Sequence, residues 1–215
     1  ARISAAEATW KRTPGSVRLL AVSKTKGVDS VQAAVAAGQR AFGENYLQDA
    51  LGKIEPLAGL GLEWHFIGPL QANKTRRVAE CFDWVHTIDR DRIAQRLDAQ
   101  RPEGLPPLSV CLQVRLSDED SKSGVEPEAL PALAAAVAAR PRLRLRGLMG
   151  LPAASGDFEQ QRRPFRLLRA LQDDLIGRGF ALDTLSMGMS GDLEAAIAEG
   201  ATLVRIGTDI FGARA

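Results

Sequence analysis

Six lysines stand against 22 arginines in these 215 residues, and two of the six, Lys24 and Lys26, close one apolar run at 17–23. Arginine is the better ion-pair cation and stays protonated, but it cannot form an imine. A lysine held at the mouth of a fold and partly desolvated becomes a nucleophile toward aldehydes. The alternative for Lys24 is a stem that snorkels to water or an ion-pair partner. A second group of residues suits an anion. Ser190 stands where a helix N-cap belongs, ahead of the helical run 193–198, and Gly207-Thr208 offers a glycine for close approach and a hydroxyl. Taken singly, each is accounted for by a plain cap or turn; the pair points to phosphate. Arg205 lies inside the apolar run 203–206, where a guanidinium must meet either a carboxylate or a ligand acceptor.

Other motifs carry less. Gly68-Pro69-Leu70-Gln71-Ala72-Asn73-Lys74-Thr75 has the spacing of a phosphate-binding P-loop, but Asn73 replaces the second glycine that lets the backbone fold around phosphates. Gly188-Met189-Ser190-Gly191-Asp192 resembles a nucleophile elbow but ends in Asp. The two histidines, His65 and His86, both fall in strand-like runs, which disfavours a serine hydrolase and makes His65 a core or supporting residue. With two histidines and two widely spaced cysteines, Cys81 and Cys111, a zinc site or a disulfide framework is not expected, and a reducing, cytoplasmic setting is.

These residues need a scaffold that gathers strand ends. Apolar runs at 17–23, 40–43, 63–67, 83–88, 108–116, 143–149, 182–187 and 202–206 lack clean in/out alternation, as parallel strands covered on both faces do. Between them lie helical stripes such as Leu130, Leu133, Ala134, Val137 and Phe165, Leu168, Leu171, Leu175; Val31, Ala34, Val35 repeat the spacing, with Gly38 as a helix stop. Strand starts recur every 20 to 39 residues, enough for a β/α unit each. The spacing predicts an α/β fold, one (β/α)8 barrel over residues 1–215, rather than an open doubly wound sheet, for which no G-x-G-x-x-G follows any strand. Lys24, Asn45, Gly68, Gly188–Gly191 and Gly207-Thr208 all follow strands, on the face where barrels carry their chemistry. The polar stretch 117–124 reads as a connection or a loop over the mouth. A net charge of +2 gives no nucleic-acid footprint, and no apolar run approaches the ~20 residues of a membrane span. The N-terminal residues read as part of a helix.

Imine-forming lysine, phosphate loops and buried arginine together suggest pyridoxal 5′-phosphate (PLP) on a barrel, and here the sequence resembles a known family. Leu20-Ala21-Val22-Ser23-Lys24-Thr25-Lys26, Phe42-Gly43-Glu44-Asn45-Tyr46, Trp64-His65-Phe66-Ile67-Gly68-Pro69-Leu70-Gln71-Ala72-Asn73-Lys74, Ser121-Lys122-Ser123-Gly124, Leu185-Ser186-Met187-Gly188-Met189-Ser190 and Val204-Arg205-Ile206-Gly207-Thr208-Asp209 are similar to segments of the pyridoxal-phosphate homeostasis proteins, in family order along nearly the whole chain. The resemblance implies a TIM barrel of the alanine racemase N-terminal-domain type, without that enzyme's second domain. It implies that Lys24 holds PLP as an internal aldimine, a Schiff base. Ser190, Gly207 and Thr208 would take the phosphate, Arg205 would face the pyridine nitrogen, and Asn45 would line the pocket. It further implies a non-catalytic monomer that supplies PLP to apo-enzymes and influences vitamin B6 balance; whether Lys26 or Lys122 offers a secondary imine site the sequence leaves open. A PLP-dependent amino-acid racemase is the enzymatic alternative. It needs a second base, and the one tyrosine, Tyr46, reads as structural. An aldolase-like barrel or a plain scaffold are the remaining readings.

Overall fold

Each apolar run becomes a strand followed by a helix. In the computed structural model, which describes residues 1–116 and 123–212, eight parallel strands pair in chain order and close into a barrel. The helix α1 (Arg2–Thr9) precedes β1 (Arg18–Val22). Then follow α2 (Val28–Ala36), β2 (Ala41–Glu44), α3 (Leu47–Ile54), β3 (Glu63–Phe66), α4 (Thr75–Cys81), β4 (Trp84–Ile88), α5 (Asp91–Gln100), β5 (Leu108–Val114), α6 (Leu130–Ala138), β6 (Leu143–Gly150), α7 (Phe158–Gly177), β7 (Thr184–Ser186), α8 (Leu193–Ala198), β8 (Leu203–Ile206) and α9 (Thr208–Phe211). Closure comes from β1 pairing β8, with Leu20 opposite Arg205. It leaves the sheet no open edge.

The main core lies between sheet and helices. Leu130, Leu133, Ala134 and Val137 of α6 and Phe165, Leu168 and Leu175 of α7 are buried there, as their stripes predict; Leu171 is only partly covered. In α2 only Val31 is buried, and Gly38 ends that turn at φ +96°. The lumen is filled separately, by Leu20, Ala41 and Leu203 with Ile67, and by Trp84, Cys111 and Met149 with Leu151.

Three expectations change or fall away, and one motif discounted from sequence is discounted again. Residues 72–74 form a 3-10 turn leading into α4, so the P-loop-like spacing supplies no nest. Tyr46 is 60% exposed at the start of α3 and packs no core. The N-cap position of α8 is Asp192 rather than Ser190; its side chain makes no capping bond to the helix, and its Oδ1 instead accepts the Met189 N–H of the preceding loop at 2.6 Å. Most of the 117–124 stretch, including Ser121 and Lys122, lies outside the described residues.

Candidate functional site

The end of β1 is fastened from below. Ser23 donates its hydroxyl to Glu44 Oε1 at 2.6 Å, and the buried Lys53 ammonium donates to Glu44 Oε1 (2.7 Å), the Ser23 carbonyl (2.8 Å) and Asp49 Oδ2 (3.0 Å). Burial raises the Glu44 carboxyl, opposed by the hydrogen bonds from Lys53 and Ser23. Directly above stand Lys24 and then Thr25, a β-branched residue at φ +64°, with its N–H on Asp49 Oδ2. Such a backbone is strained and persists only where its surroundings hold it, which makes the Lys24-Thr25 step a marked position.

Lys24 faces a cavity of about 340 Å³ at the carboxyl ends of the strands, a size typical of small-molecule sites. Lys24, Asn45, Ser190, Arg205, Gly207 and Thr208 all line it. Asn45 is seated by Gly68, whose Cα lies so close to the Asn45 backbone that a Cβ would stand 2.1 Å from its carbonyl oxygen. The Gly68 carbonyl in turn accepts the Thr87 hydroxyl at 2.8 Å. The Asn45 side-chain oxygen is buried with no partner, an acceptor awaiting a donor.

On the opposite wall, Ser190 and Thr208 bring two hydroxyls, and Gly207 lies against β1 with room for a Cβ only 3.2 Å from the Val22 carbonyl. Arg2 of α1 bridges these loops. It donates to the Ser190 carbonyl at 2.9 Å, pairs with Glu194 at 2.8 Å, and meets Asp209. Arg205 is buried and donates to Ser186 Oγ at 2.8 Å and to the Gly150 carbonyl at 2.9 Å. Burial pushes its guanidinium down to about 10, partly opposed by the Asp192 charge, so it stays protonated at neutral pH. Among the described residues it makes no ion pair; its recorded acceptors are Ser186 Oγ and the Gly150 carbonyl, and it also lines the cavity.

The lining includes three cations, Lys24, Lys26 and Arg205, and no carboxylate among the described residues. Such a site favours an anion, and the Lys24 amine adds affinity for an aldehyde.

Sequence reasoning missed several parts. Thr25, Ile67, Leu151 and Phe211 also line the cavity. Met189 and Gly191, already placed with Ser190 after the seventh strand, line it as expected of that face. Arg2 and Leu151 carried no local signal. His65 and His86 prove fully buried and hydrogen-bonded to each other at 2.8 Å, so the supporting role expected for His65 extends to both.

The alanine racemase N-terminal domain model matches residues 5–215. A protein of Pseudomonas aeruginosa named pyridoxal phosphate homeostasis protein is 62% identical over 214 residues, covering 100% of this chain and 92% of that one. A protein of Escherichia coli with the same name is 56% identical over 216 residues, covering 99% and 92%. The solved structure of PipY from Synechococcus elongatus PCC7942, with PLP bound, superposes with a TM-score of 0.87 at 37% identity, covering 98% of this chain and 100% of that one.

Proposed function

The chain belongs to the pyridoxal phosphate homeostasis proteins, built on the alanine racemase N-terminal domain, and from that premise we propose that it is a PLP-binding carrier whose cofactor is held covalently by Lys24. The observation that carries this reading is the cavity: an amine, a buried arginine and two hydroxyls converge on one space of about 340 Å³ lined by no carboxylate among the described residues.

In this reading the Lys24 amine condenses with the PLP aldehyde, releasing one water and leaving an internal aldimine; hydrolysis reverses the step and frees the cofactor. Bound PLP brings an aldehyde, a dianionic phosphate and an electron-withdrawing ring. Ser190, Thr208 and the close approach at Gly207 hold the phosphate, which loses more when stripped of charge-assisted bonds than any neutral group would. Arg205 directs a guanidinium at the ring, and Asn45 supplies the unpartnered acceptor. A cationic donor at the ring nitrogen disfavours ring protonation and so weakens the ring as an electron sink. No Tyr, His or Cys lines the cavity among the described residues, and Tyr46 points to solvent, so the two-base arrangement of a racemase has no support here. The carrier acts as one barrel domain and as a monomer, supported by its closed sheet. Its two cysteines are unpaired, in keeping with a cytoplasmic setting, and its recipients are apo-enzymes that need PLP.

The test is the near-visible spectrum with added PLP, wild type beside Lys24→Ala, followed by borohydride reduction and mass analysis. A band in wild type that the variant lacks, with the reduced adduct on Lys24, is the expected result. No band in either protein would return the aldolase-like or scaffold readings to the front, and turnover of single amino-acid enantiomers would replace the carrier with a racemase.

A further inference from the structure

Three fully buried side chains, His65, His86 and Ser186, lie behind Arg205 and have no part in that reading, yet with both imidazoles held neutral by burial their bonding admits only one direction. Glu63 is paired with Arg18 at 2.7 Å. Burial alone would raise its carboxyl, but the hydrogen bond from His65 and the Arg18 charge pull it down to about 2, so it is an anion and can only accept. His65 therefore donates from Nε2 to Glu63 at 2.6 Å, leaving its Nδ1 as acceptor. His86 must then donate from Nε2 to His65 Nδ1 at 2.8 Å, and its own Nδ1 accepts the Ser186 hydroxyl proton, also at 2.8 Å. Ser186 Oγ is left with lone pairs for the Arg205 guanidinium at 2.8 Å.

Both imidazoles are thus neutral, in the Nε2–H form. Burial holds each below the ordinary histidine value, and the Arg205 cation lowers His86 further. Every donor in the series points away from the cavity. The path runs from β8 to β7, across the lumen to β4, and on to β3, where Glu63 and Arg18 border a second crevice with Asp83, Trp84 and Arg146. Trp84 stacks on His65 with ring centroids 5.3 Å apart and fixes the plane of that imidazole.

We propose that Glu63, His65, His86 and Ser186 are positioning residues for Arg205: a one-way hydrogen-bonded chain that ties the cavity guanidinium to the anion at the far end of the barrel and fixes how it meets a bound ligand. The chain answers a physical problem. Arg205 is a buried cation without an ion pair among the described residues, and a freely turning guanidinium would lose the directed donor that a ring acceptor needs. Polarisation along consecutive hydrogen bonds hands part of the Glu63 charge to Ser186 Oγ, the acceptor Arg205 uses. The ligand side of this inference rests on the carrier reading above; the chain itself does not.

With only two histidines in the sequence, 15N-histidine labelling gives two imidazoles and no overlap. Both are expected as neutral Nε2–H tautomers at neutral pH in the ligand-free protein, with the Arg205 guanidinium protons sharp in wild type and broadened in Ser186→Ala and, less so, in Glu63→Gln. With PLP, Ser186→Ala should weaken binding about tenfold or more, the loss of a bond to a charged donor. Glu63→Gln keeps the shape and removes only the remote charge. It should weaken binding about threefold and move the near-visible band, the scale of coupling carried over several contacts. An Nδ1–H tautomer on either histidine overturns the proposal, as do guanidinium signals that neither substitution broadens. If wild type gives no band with PLP, the carrier reading fails, and the imidazole and guanidinium signals decide the chain without it. If the band forms and Glu63→Gln leaves its position and the affinity unchanged, the chain is packing alone and the proposal falls.

Discussion

Gly68→Ala separates the geometry of the site from the stability of the barrel. The new Cβ would stand 2.1 Å from the Asn45 carbonyl oxygen and 2.7 Å from its Cα, where ordinary contact begins at 3.4 Å. The Asn45 backbone must therefore retreat by about 1.3 Å, because Gly68 is itself tethered through its carbonyl to Thr87. Overpacking of this kind costs roughly 1–3 kcal/mol, and for a chain of this size each kcal/mol lowers the melting temperature by about 2–4 °C. The displaced Asn45 no longer presents its buried side-chain oxygen to the ligand. Losing one such hydrogen bond weakens PLP by about 5- to 12-fold, or roughly 1–1.5 kcal/mol. Gly147→Ala is the control. Its Cβ would meet the Thr184 carbonyl at 1.8 Å, a worse collision, but it does not line the cavity. It should lower the melting temperature at least as far and leave PLP affinity of the folded protein within about twofold. Thermal melts and absorbance titrations on both variants decide the matter. If Gly68→Ala loses stability but binds PLP like wild type, Asn45 has no role in the cavity. If it loses neither, the close approach itself is misjudged.

Ser190→Ala combined with Thr208→Val should weaken PLP at least about tenfold more than unphosphorylated pyridoxal, since each hydroxyl bond to a charged oxygen contributes roughly 1.5 kcal/mol or more. Equal losses in parallel titrations would remove the phosphate from these loops. Lys53→Met leaves Glu44 buried without its cation and should cost about 3–5 kcal/mol, much of it restored by adding Glu44→Gln; denaturant midpoints that do not recover in the double variant would show that the pair is not what holds the end of β1. Acid should destabilise the fold through the buried histidines. Both are held below 6.5 in the folded state, so the unfolded chain takes up protons first, and the stability present above pH 6.5 is lost as pH falls. A histidine that stays neutral throughout loses at most about 1.4 kcal/mol between pH 7.5 and 5.5. Glu44 and Asp192, both raised by burial, act with the opposite sign in the acid range, so the effect is read as a difference. The advantage of wild type over His86→Gln should shrink as pH falls through this range, and a pH-independent difference between their unfolding curves would mean that His86 takes up its proton as readily in the folded protein as in the unfolded chain.

Periodicity and strand ends were legible in the order of residues alone. Short aliphatic and β-branched runs at near-regular intervals leave few ways to bury both faces of every strand, and closure into a barrel is one that needs no edge. Because a barrel gathers the residues just beyond its strands, Lys24, Asn45, Ser190, Gly207 and Thr208 could be singled out from their positions after apolar runs, and Arg205 from the anomaly of a guanidinium inside one. Competition within a few residues was not legible. Ser190 and Asp192 are both good capping residues; the helix begins after Asp192, whose side chain turns back to the Met189 N–H of the loop instead of capping the helix. Contacts across the lumen were equally hidden. His86 and Ser186 are 100 residues apart, and Arg2 reaches the loop at Ser190 over a separation of 188. Spacing fixes which face of a strand a side chain takes, but only the closed barrel decides which strand stands opposite, and so which acceptor a buried donor finds.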